Sequence, residues 1–402
     1  MTARLAIVAV VVGSLTLAGP AAARLVPSKG KPYGVLGQAG TVAVSPDGKN
    51  VYVAAVDTGA VTIFSRARNG KLRRLRGANG CITRRRSRSR CRVDRSVASA
   101  FDMVVSPDGR NVYAGGDSKL VTFARNTRVG SLRRVGPALA EGDSPTVSAD
   151  GKYVYAGSTT YVRNPATGAL RSGPATTLSL AFPSPVDEKL ALSPDRRFGY
   201  LMQTTQTANT AVLSLSRDPA TGALTQLEGG CLLAKPELPG CGSTGWTGTS
   251  QPADFPNLTY QGADIVVTPN GSTVVAVINE GEEGAERSVA GLGILSRDPA
   301  AGLLTPSPPR LQSGDLTDNA NGFALAPDGR TAILASDMLP DIRVLDLGSP
   351  EQVRTSQCFV PDRLRGCTQL RRLDFPAGVA VSPNGRSVYV ANASDLLAFA
   401  KR

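Results

Sequence analysis

The side chains that could do chemistry in this chain are carboxylates, lysines, arginines and cysteines, because none of its 402 residues is a histidine. Without histidine the chain cannot form a Ser-His-Asp triad, a Cys-His dyad, an imidazole base, or a His-ligated zinc or haem site. The composition, 41% hydrophobic and 19% charged, is ordinary for a globular protein and too polar for a membrane protein with many spans. Any function of this chain must therefore come from groups other than imidazole.

The six cysteines occur as three local pairs: Cys81 with Cys91, Cys231 with Cys241, and Cys358 with Cys367. Nine, nine and eight residues lie between the partners. Zinc ligands are usually separated by roughly two to four residues and would here lack help from histidine. The spacing therefore favours three disulfide-closed loops, which are typical of exported proteins.

Arginines are concentrated in and just after the first cysteine loop: Arg84, Arg85, Arg86, Arg88, Arg90, Arg92 and Arg95. The chain has 45 basic and 32 acidic residues, a net charge of +13, which favours an anionic partner such as an envelope polymer, an acidic protein or acidic lipid. No aromatic residue is interleaved with these arginines to stack on bases, so we expect no nucleic-acid partner. The alternative is a solvated loop that only resists aggregation. As partner-binding candidates we take Arg84, Arg85, Arg86, Arg88 and Arg90.

The N-terminus has the pattern of a signal peptide over residues 1–23. A short basic start that includes Arg4 precedes the apolar stretch 5–19, and the small residues 21–23 follow. Fifteen apolar residues are fewer than the roughly 20 that span a bilayer. We expect a mature chain that begins near Arg24, is secreted or held in the cell envelope, and has no transmembrane span. An uncleaved membrane anchor is the alternative.

A motif of the type Ser-Pro-Asp-Gly recurs seven times and sets the elements that must position these side chains. The copies occupy residues 42–48, 103–109, 145–151, 190–196, 265–271, 323–329 and 379–385. Each copy combines an apolar strand, a turn and an alternating strand, and the side chain four residues beyond the turn is Tyr52, Tyr113, Tyr155, Tyr200 or Tyr389, or else Val275 or Ile333. Second turns such as 68–71 and 219–222 are followed by a fourth strand.

Four antiparallel strands repeated seven times predict an all-β fold, a seven-bladed β-propeller formed as a single domain by residues 24–402. The last repeat stops after three strands at the C-terminus. Segment 30–37 near the mature N-terminus resembles a fourth strand. We therefore predict that the N-terminal strand closes the last blade, and we expect a monomer.

The phrases Ser-Pro-Asp-Gly-Lys-Asn-Val-Tyr-Val-Ala (45–54) and Ser-Pro-Asn-Gly-Arg-Ser-Val-Tyr-Val-Ala-Asn (382–392) resemble the YVTN-type repeats of bacterial β-propellers. They are also similar to the lactonase-type seven-bladed family, and the resemblance covers nearly the whole mature chain. It implies a propeller fold and, as an activity, lactone hydrolysis by histidine, arginine and glutamate around the channel. Because this chain has no histidine, no catalytic residue carries over, and the catalytic residues stay unknown.

The entrance to the central channel is predicted from the position four residues before each motif serine: Thr41, Asp102, Ser144, Lys189, Asp264, Gly322 and Gly378. Asp102, Lys189 and Asp264 are the charges of this set. With Thr41 and Ser144 they are candidates to bind a small polar ligand or a divalent cation such as calcium. The alternative is a set of hydrated groups or cross-blade ion pairs.

The long insertions are all predicted on one face of the propeller, which we take as the functional face. They are the three cysteine loops and the acidic segment 279–286, with Glu280, Glu282, Glu283 and Glu286. The acidic segment could bind calcium, pair with the arginine loop, or be a flexible solvated loop. Trp246, the lone tryptophan, could anchor a partner or pack its own loop.

Two functions from different classes follow from these patterns. The first is an exported binding or scaffold protein that engages an anionic polymer or protein through the disulfide-stapled basic loops. The alternative is a lactonase-like hydrolase that uses carboxylates at the channel mouth, with or without a divalent ion.

Overall fold

The computed structural model describes residues 23–86, 90–95, 97, 102–116, 119–140, 142–179, 185, 187–205, 209–234, 240–243, 258–282, 288–307, 319–337, 339–349 and 352–402. Seven antiparallel sheets form a seven-bladed β-propeller, as the repeats predict. We number the blades in chain order of their inner strands. The predicted signal peptide, except Ala23, lies outside the described residues. Among those that are described, no helix is long and apolar enough to cross a membrane.

Each blade runs outward from an inner strand beside the channel. Blades 1 to 3 consist of Ala39–Val44, Asn50–Ala55, Val61–Arg66, Leu72–Arg74, Cys81–Thr83 and Arg92–Val93; of Asp102–Val105, Asn111–Gly116, Lys119–Arg125 and Leu132–Ala140; and of Pro145–Val147, Tyr153–Ala156, Thr159–Arg163 and Leu170–Ser172. A 3-10 helix, Gly77–Asn79, lies in the outer part of blade 1.

Blades 4 to 7 follow the same plan. They consist of Asp187–Leu192, Phe198–Thr204, Thr210–Arg217, Leu224–Leu233 and Gly242–Ser243; of Leu258–Val267, Thr273–Glu282, Ser288–Arg297 and Leu304–Ser307; of Ala320–Leu325, Thr331–Ser336, Asp341–Ser349, Gln352–Val360 and Thr368–Gln369; and of Pro376–Val381, Ser387–Asn392 and Asp395–Lys401 with the N-terminal strands Leu25–Pro27 and Tyr33–Gly34.

The repeated motif forms the turn between the first and second strands of each blade. In blade 1 the Ser45 hydroxyl donates to the Asp47 carboxylate at 2.6 Å and accepts from the Asn50 backbone N–H at 3.0 Å. Gly48 has φ +66°, a conformation that costs little only for glycine. The turn residues therefore satisfy their own polar groups, so the motif can repeat around the ring.

Apolar side chains between adjacent blades form the core. Between blades 4 and 5, for example, Tyr200 and Met202 pack with Val274 and Ala276, and all four are buried. The second strands are apolar on both faces, rather than alternating, because a neighbouring blade covers each face.

The ring closes through its N-terminus, as predicted, but the strand begins earlier than segment 30–37. Leu25–Pro27 pairs with the last strand from Lys401 to Phe399, and only Tyr33–Gly34 of the predicted segment pairs, with Leu396 and Asp395. Leu25 is the reason, because its side chain is fully buried and its backbone exchanges two hydrogen bonds with the Gln357 amide. Lys31 and Pro32 supply no comparable apolar anchor.

All three predicted disulfides form: Cys81–Cys91, Cys231–Cys241 and Cys358–Cys367. They occur in blades 1, 4 and 6. In each, the outermost antiparallel strand pairs in parallel with a short strand from the far side of its cysteine loop. Each disulfide therefore pins the start of the connection to the next blade, as the cysteine spacing predicts.

Candidate functional site

The channel mouth is asymmetric around the ring. A Cβ added to Gly322 would overlap the backbone carbonyl of Ala377, and one added to Gly378 would overlap that of Gly40. The inner strands of blades 6, 7 and 1 therefore touch backbone to backbone, which requires glycine at these two positions. The predicted charges lie on the other blades, where the inner strands leave room for side chains.

Three of the predicted site residues interact across the channel mouth. Asp102, Lys189 and Asp264 begin or lie within the inner strands of blades 2, 4 and 5, and all three are half-buried. Burial alone would lower the pKa of Lys189, but the carboxylates of Asp264, Asp102 and Asp187 raise it above its ordinary value. Lys189 is therefore a firmly charged cation among three carboxylates.

Burial raises the pKa of Asp264 to about 6, and Lys189 opposes this rise while the carboxylate of Asp102 adds to it. Asp264 also accepts a hydrogen bond from the Ile265 N–H at 2.8 Å. A carboxyl group with this pKa exchanges its proton near neutral pH, which is a property of acid–base catalysts.

Asp187 is a member of this cluster that sequence reasoning missed. Burial raises its pKa, and Lys189 counteracts the rise while Asp102 and Asp143 add to it. Asp187 lies two residues before Lys189 on the same strand. Side chains two residues apart on a strand point to the same face. The sequence could therefore have placed Asp187 beside Lys189.

The other two predicted rim residues, Thr41 and Ser144, are uncharged. Thr41 is buried in the inner strand of blade 1, and Ser144 precedes the inner strand of blade 3 with φ +44°. Over the described ranges, no three His, Cys, Asp or Glu side chains are grouped so that they could hold a metal ion. Binding of a divalent cation or of a small polar ligand at the rim stays a prediction.

The described start of the acidic segment, residues 279–281, differs from the expected solvated loop. Glu280 lies in the strand Thr273–Glu282, is only 4% exposed, and its Oε1 atom makes no hydrogen bond. Strand pairing continues past residue 278 on both sides, with Glu280 opposite Tyr260 and Val289, and this pairing buries Glu280. Glu283 and Glu286, the side chain of Glu282, and Trp246 lie outside the described residues.

A second site, which we call the arginine pocket, lies beside the first cysteine loop. It has a volume of about 560 Å³, and its polar lining consists of Asp57, Thr58, Thr83, Arg84, Arg85 and Arg86. Leu36 and Ala60 form part of its apolar wall. Three segments that are distant in sequence therefore meet here: the entry to blade 1, its second-to-third-strand turn, and its cysteine loop.

Hydrogen bonds fix the walls of the arginine pocket. The Asp57 carboxylate accepts from the Gln38 N–H at 2.8 Å, and the Thr58 hydroxyl donates to the Leu36 carbonyl at 3.1 Å. On the other side, the Thr83 hydroxyl donates to the Arg85 carbonyl at 2.8 Å and so shapes the start of the loop. The Cys81–Cys91 disulfide closes the same loop.

The arginine side chains of the pocket have no side-chain partner among the described residues. Arg84, Arg85 and Arg86 are exposed, and in the part of the chain that the structure describes no ion pair or hydrogen bond engages their guanidinium groups. Arg90 is also exposed but does not line the pocket, and Arg88 lies outside the described residues. Exposed guanidinium groups of this kind suit carboxylate, phosphate or sulfate groups.

Solved structures with a similar fold come from several bacteria. Hydrazine synthase from Kuenenia stuttgartiensis is 17% identical over 93% of this chain and 97% of that chain, with a TM-score of 0.57. A periplasmic gluconolactonase from Pseudomonas aeruginosa is 18% identical over 79% and 84%, with a TM-score of 0.56. A putative 6-phosphogluconolactonase from Bacteroides uniformis is 16% identical over 79% and 83%, with a TM-score of 0.52.

These identities show that the fold is shared and carry no catalytic residue to this chain. No protein-family model matches the chain, and no curated protein matches it.

Proposed function

We propose that this protein is an exported β-propeller that binds an anionic ligand, a segment of an envelope polymer or an acidic protein surface, in the arginine pocket. The observation that carries the proposal is that Arg84, Arg85 and Arg86 line one pocket, are exposed, and form no ion pair with any described residue. Each offers several N–H donors in a fixed plane, and neighbouring cations reinforce one another's attraction for a polyanion.

The size and walls of the pocket support a defined ligand rather than a diffuse ion cloud. A volume of about 560 Å³ falls within the range of small-molecule sites, so it accommodates a short polymer segment or a side-chain cluster. The apolar surface of Leu36 and Ala60 and the hydroxyl groups of Thr58 and Thr83 provide contacts beyond charge.

An extracytoplasmic location is part of the proposal. Three disulfides support it, since disulfides persist in oxidising compartments. The predicted signal peptide and the periplasmic location in the name of the Pseudomonas protein agree with it.

The test is binding of two labelled model polyanions, polygalacturonate and poly-L-glutamate, to wild-type protein and to the variant Arg84→Gln/Arg85→Gln/Arg86→Gln. We expect the variant to bind at least about tenfold more weakly and to lose part of the salt dependence. The matched control, Arg110→Gln/Arg128→Gln/Arg386→Gln, removes the same charge from exposed turns on the opposite face. Equal losses in both variants would mean that net charge, and not the pocket, attracts the polymer.

A second candidate function, lactone hydrolysis at the channel mouth, is favoured by the pKa of Asp264. A carboxyl group with a pKa of about 6 beside the Lys189 cation can take a proton from water, and the cation can stabilise a developing oxyanion. The two gluconolactonase-type neighbours support this reaction class through fold likeness only.

Turnover of a panel of sugar lactones tests this second function. An active channel site requires turnover that rises with pH around 6 and is abolished in Asp102→Asn/Asp264→Asn. Turnover unchanged by this double substitution would remove the channel mouth as an active site.

A further inference from the structure

The connection from blade 6 to blade 7, residues 361–375, exposes large apolar side chains. Leu364 is 55% exposed inside the Cys358–Cys367 loop, and Phe375 is 52% exposed immediately before the inner strand of blade 7. Two other leucines of the same connection, Leu370 and Leu373, pack into the core between blades 6 and 7. The connection therefore has apolar residues of both kinds, some anchoring it and some facing solvent.

Phe375 is unfavourable for the isolated chain in two respects. Its φ of +46° lies in the left-handed region, which costs a bulky residue roughly 1 to 2 kcal/mol. The corresponding positions before the inner strands of blades 3 and 6 also have positive φ but hold Ser144 and Asn319, which are small and polar. Neither the backbone nor the described core therefore gains from a phenyl ring at this position.

Arginines flank Leu364 in the sequence, and two more lie three and four residues before Phe375. Arg363 and Arg365 are the chain neighbours of Leu364, and Arg371 and Arg372 precede Phe375; all four are exposed. The segment 361–375 has four arginines against two aspartates. Leu339, in the second-to-third-strand turn of blade 6, adds a third exposed apolar side chain on the same face.

The basic first cysteine loop lies on this face too. Connections between blades and turns between second and third strands emerge on one side of a propeller. Blades 6, 7 and 1 are consecutive in the ring, so the connection 361–375 and the exposed arginines Arg84, Arg85 and Arg86 occupy one arc of that face.

We infer that this arc docks on an anionic lipid surface, with Leu364 and Phe375 entering the boundary between headgroups and acyl chains. Exposed apolar side chains in a segment rich in arginine match a lipid surface, in which anionic headgroups cover an apolar interior. A protein partner would instead be expected to meet a grouped, concave apolar patch. The inference rests on the extracytoplasmic location in the proposed function, but it does not rest on the arginine pocket.

Cosedimentation with vesicles tests the inference, using pure phosphatidylcholine and mixed phosphatidylglycerol/phosphatidylcholine vesicles. The protein used begins at Arg24, because the apolar stretch 5–19 would itself favour a lipid surface. This truncation removes no described strand, since the first one begins at Leu25. We expect binding to the mixed vesicles only. The variant Leu364→Ser/Phe375→Ser should partition at least about tenfold more weakly, because two inserted apolar side chains are lost.

The matched control is Val129→Ser, which removes an apolar side chain that is 46% exposed on the opposite face. It should bind as the wild type does. Substituting Arg363→Gln/Arg365→Gln should weaken binding to the mixed vesicles by about tenfold or more. The Arg84→Gln/Arg85→Gln/Arg86→Gln variant should still depend on Leu364 and Phe375, so failure of the pocket proposal is distinguishable from failure of this one.

A second readout does not depend on loss of binding. Phe375→Trp in a Trp246→Phe background should show a blue shift of its emission on mixed vesicles and quenching by brominated lipid. No sedimentation of wild type with phosphatidylglycerol, wild-type binding by the Leu364→Ser/Phe375→Ser variant, or an unshifted emission would each overturn the inference.

Discussion

Arg125 in blade 2 donates from its Nε atom to the Tyr52 hydroxyl of blade 1 at 2.8 Å. The same guanidinium donates to the Asp47 carboxylate of the blade 1 turn and to the Gly109 carbonyl of its own turn, both at 2.9 Å. The Tyr52 hydroxyl in turn donates to the Gly130 carbonyl at 2.9 Å. One buried arginine thus joins the first-to-second-strand turns of two blades with the second turn of its own blade.

This arrangement, which we call the arginine latch, recurs at five of the seven blade boundaries. The other four pairs are Arg163 with Tyr113, Arg217 with Tyr155, Arg297 with Tyr200, and Arg66 with Tyr389. Blades 5 and 6 have Val275 and Ile333 in place of tyrosine, and the blade that follows each has Leu347 or Lys401 in place of arginine. Tyrosine and arginine are therefore present or absent together across a boundary.

The latch predicts a large cost for a conservative substitution. Arg125→Lys keeps the charge but cannot bond Tyr52, Asp47 and Gly109 together, so buried acceptors are left unpaired. We expect a loss of about 2 to 4 kcal/mol in the free energy of unfolding by chemical denaturation. Arg133→Lys, at an exposed position of the same blade, should change it little. Similar small effects at both positions would show that the latch does not stabilise the ring.

Ring closure predicts that only a few residues of the N-terminal segment contribute strongly to the free energy of unfolding. Leu25→Ala should lower the free energy of unfolding by about 2 to 4 kcal/mol, since its side chain is 1% exposed between blades 6 and 7. Lys29→Ala, an exposed neighbour, should have almost no effect. A truncation that starts at Lys29, and so keeps Tyr33–Gly34, should lose at least as much as Leu25→Ala if Leu25–Pro27 is the closing strand.

One motif copy contains a local strain that can be relieved. Arg196 replaces the turn glycine in blade 4 and has φ +66°, the same conformation as Gly48 and Gly151. Arg196→Gly should raise the free energy of unfolding by up to about 1 kcal/mol, because the hydrogen bonds of Arg196 to the described residues Ser193 and Arg217 use only its backbone N–H and carbonyl, which glycine keeps. The opposite change, Gly151→Ala, puts a side chain where φ is +68° and should lower the melting temperature. A less stable Arg196→Gly protein would contradict this account.

The channel mouth predicts a pH effect on stability. The folded-state pKa of Asp264, about 6, is above the ordinary value of 3.8, so folding favours its protonated form. Its contribution is fully present below the ordinary pKa and is lost as the pH rises through about 6. Asp264→Asn should therefore be more stable than wild type at pH 8, by roughly 1 to 2 kcal/mol after allowance for exposure to the channel, but not at pH 4.

Denaturant unfolding of both proteins at the two pH values measures this difference directly. Asp298→Asn is the control, because that carboxyl is on an exposed turn with a pKa lowered by backbone hydrogen bonds. A pH-independent gain in Asp264→Asn would mean that Asp264 is ionised in the folded protein throughout this range.

The sequence by itself determined the features that repeat along the chain. The Ser-Pro-Asp-Gly copies predicted seven blades, their turns, and the regular position of the tyrosines after each turn. Local spacing predicted the three disulfides. These predictions succeed because the hydrogen bonds of each turn and the apolar pattern of each strand involve residues only a few positions apart. Such a local pattern can be recognised without knowing how the blades pack.

Only the tertiary structure decided which residues from different blades meet. Arg125 and Tyr52 are 73 residues apart, and Arg66 and Tyr389 are 323 apart, so no local spacing connects them. The arginine pocket needs Leu36, Thr58 and Arg84 to converge, and the pKa of Asp264 depends on Lys189 and Asp102 from other blades. Such contacts are set by the closure and curvature of the ring, which bring the ends of separate strands to one face.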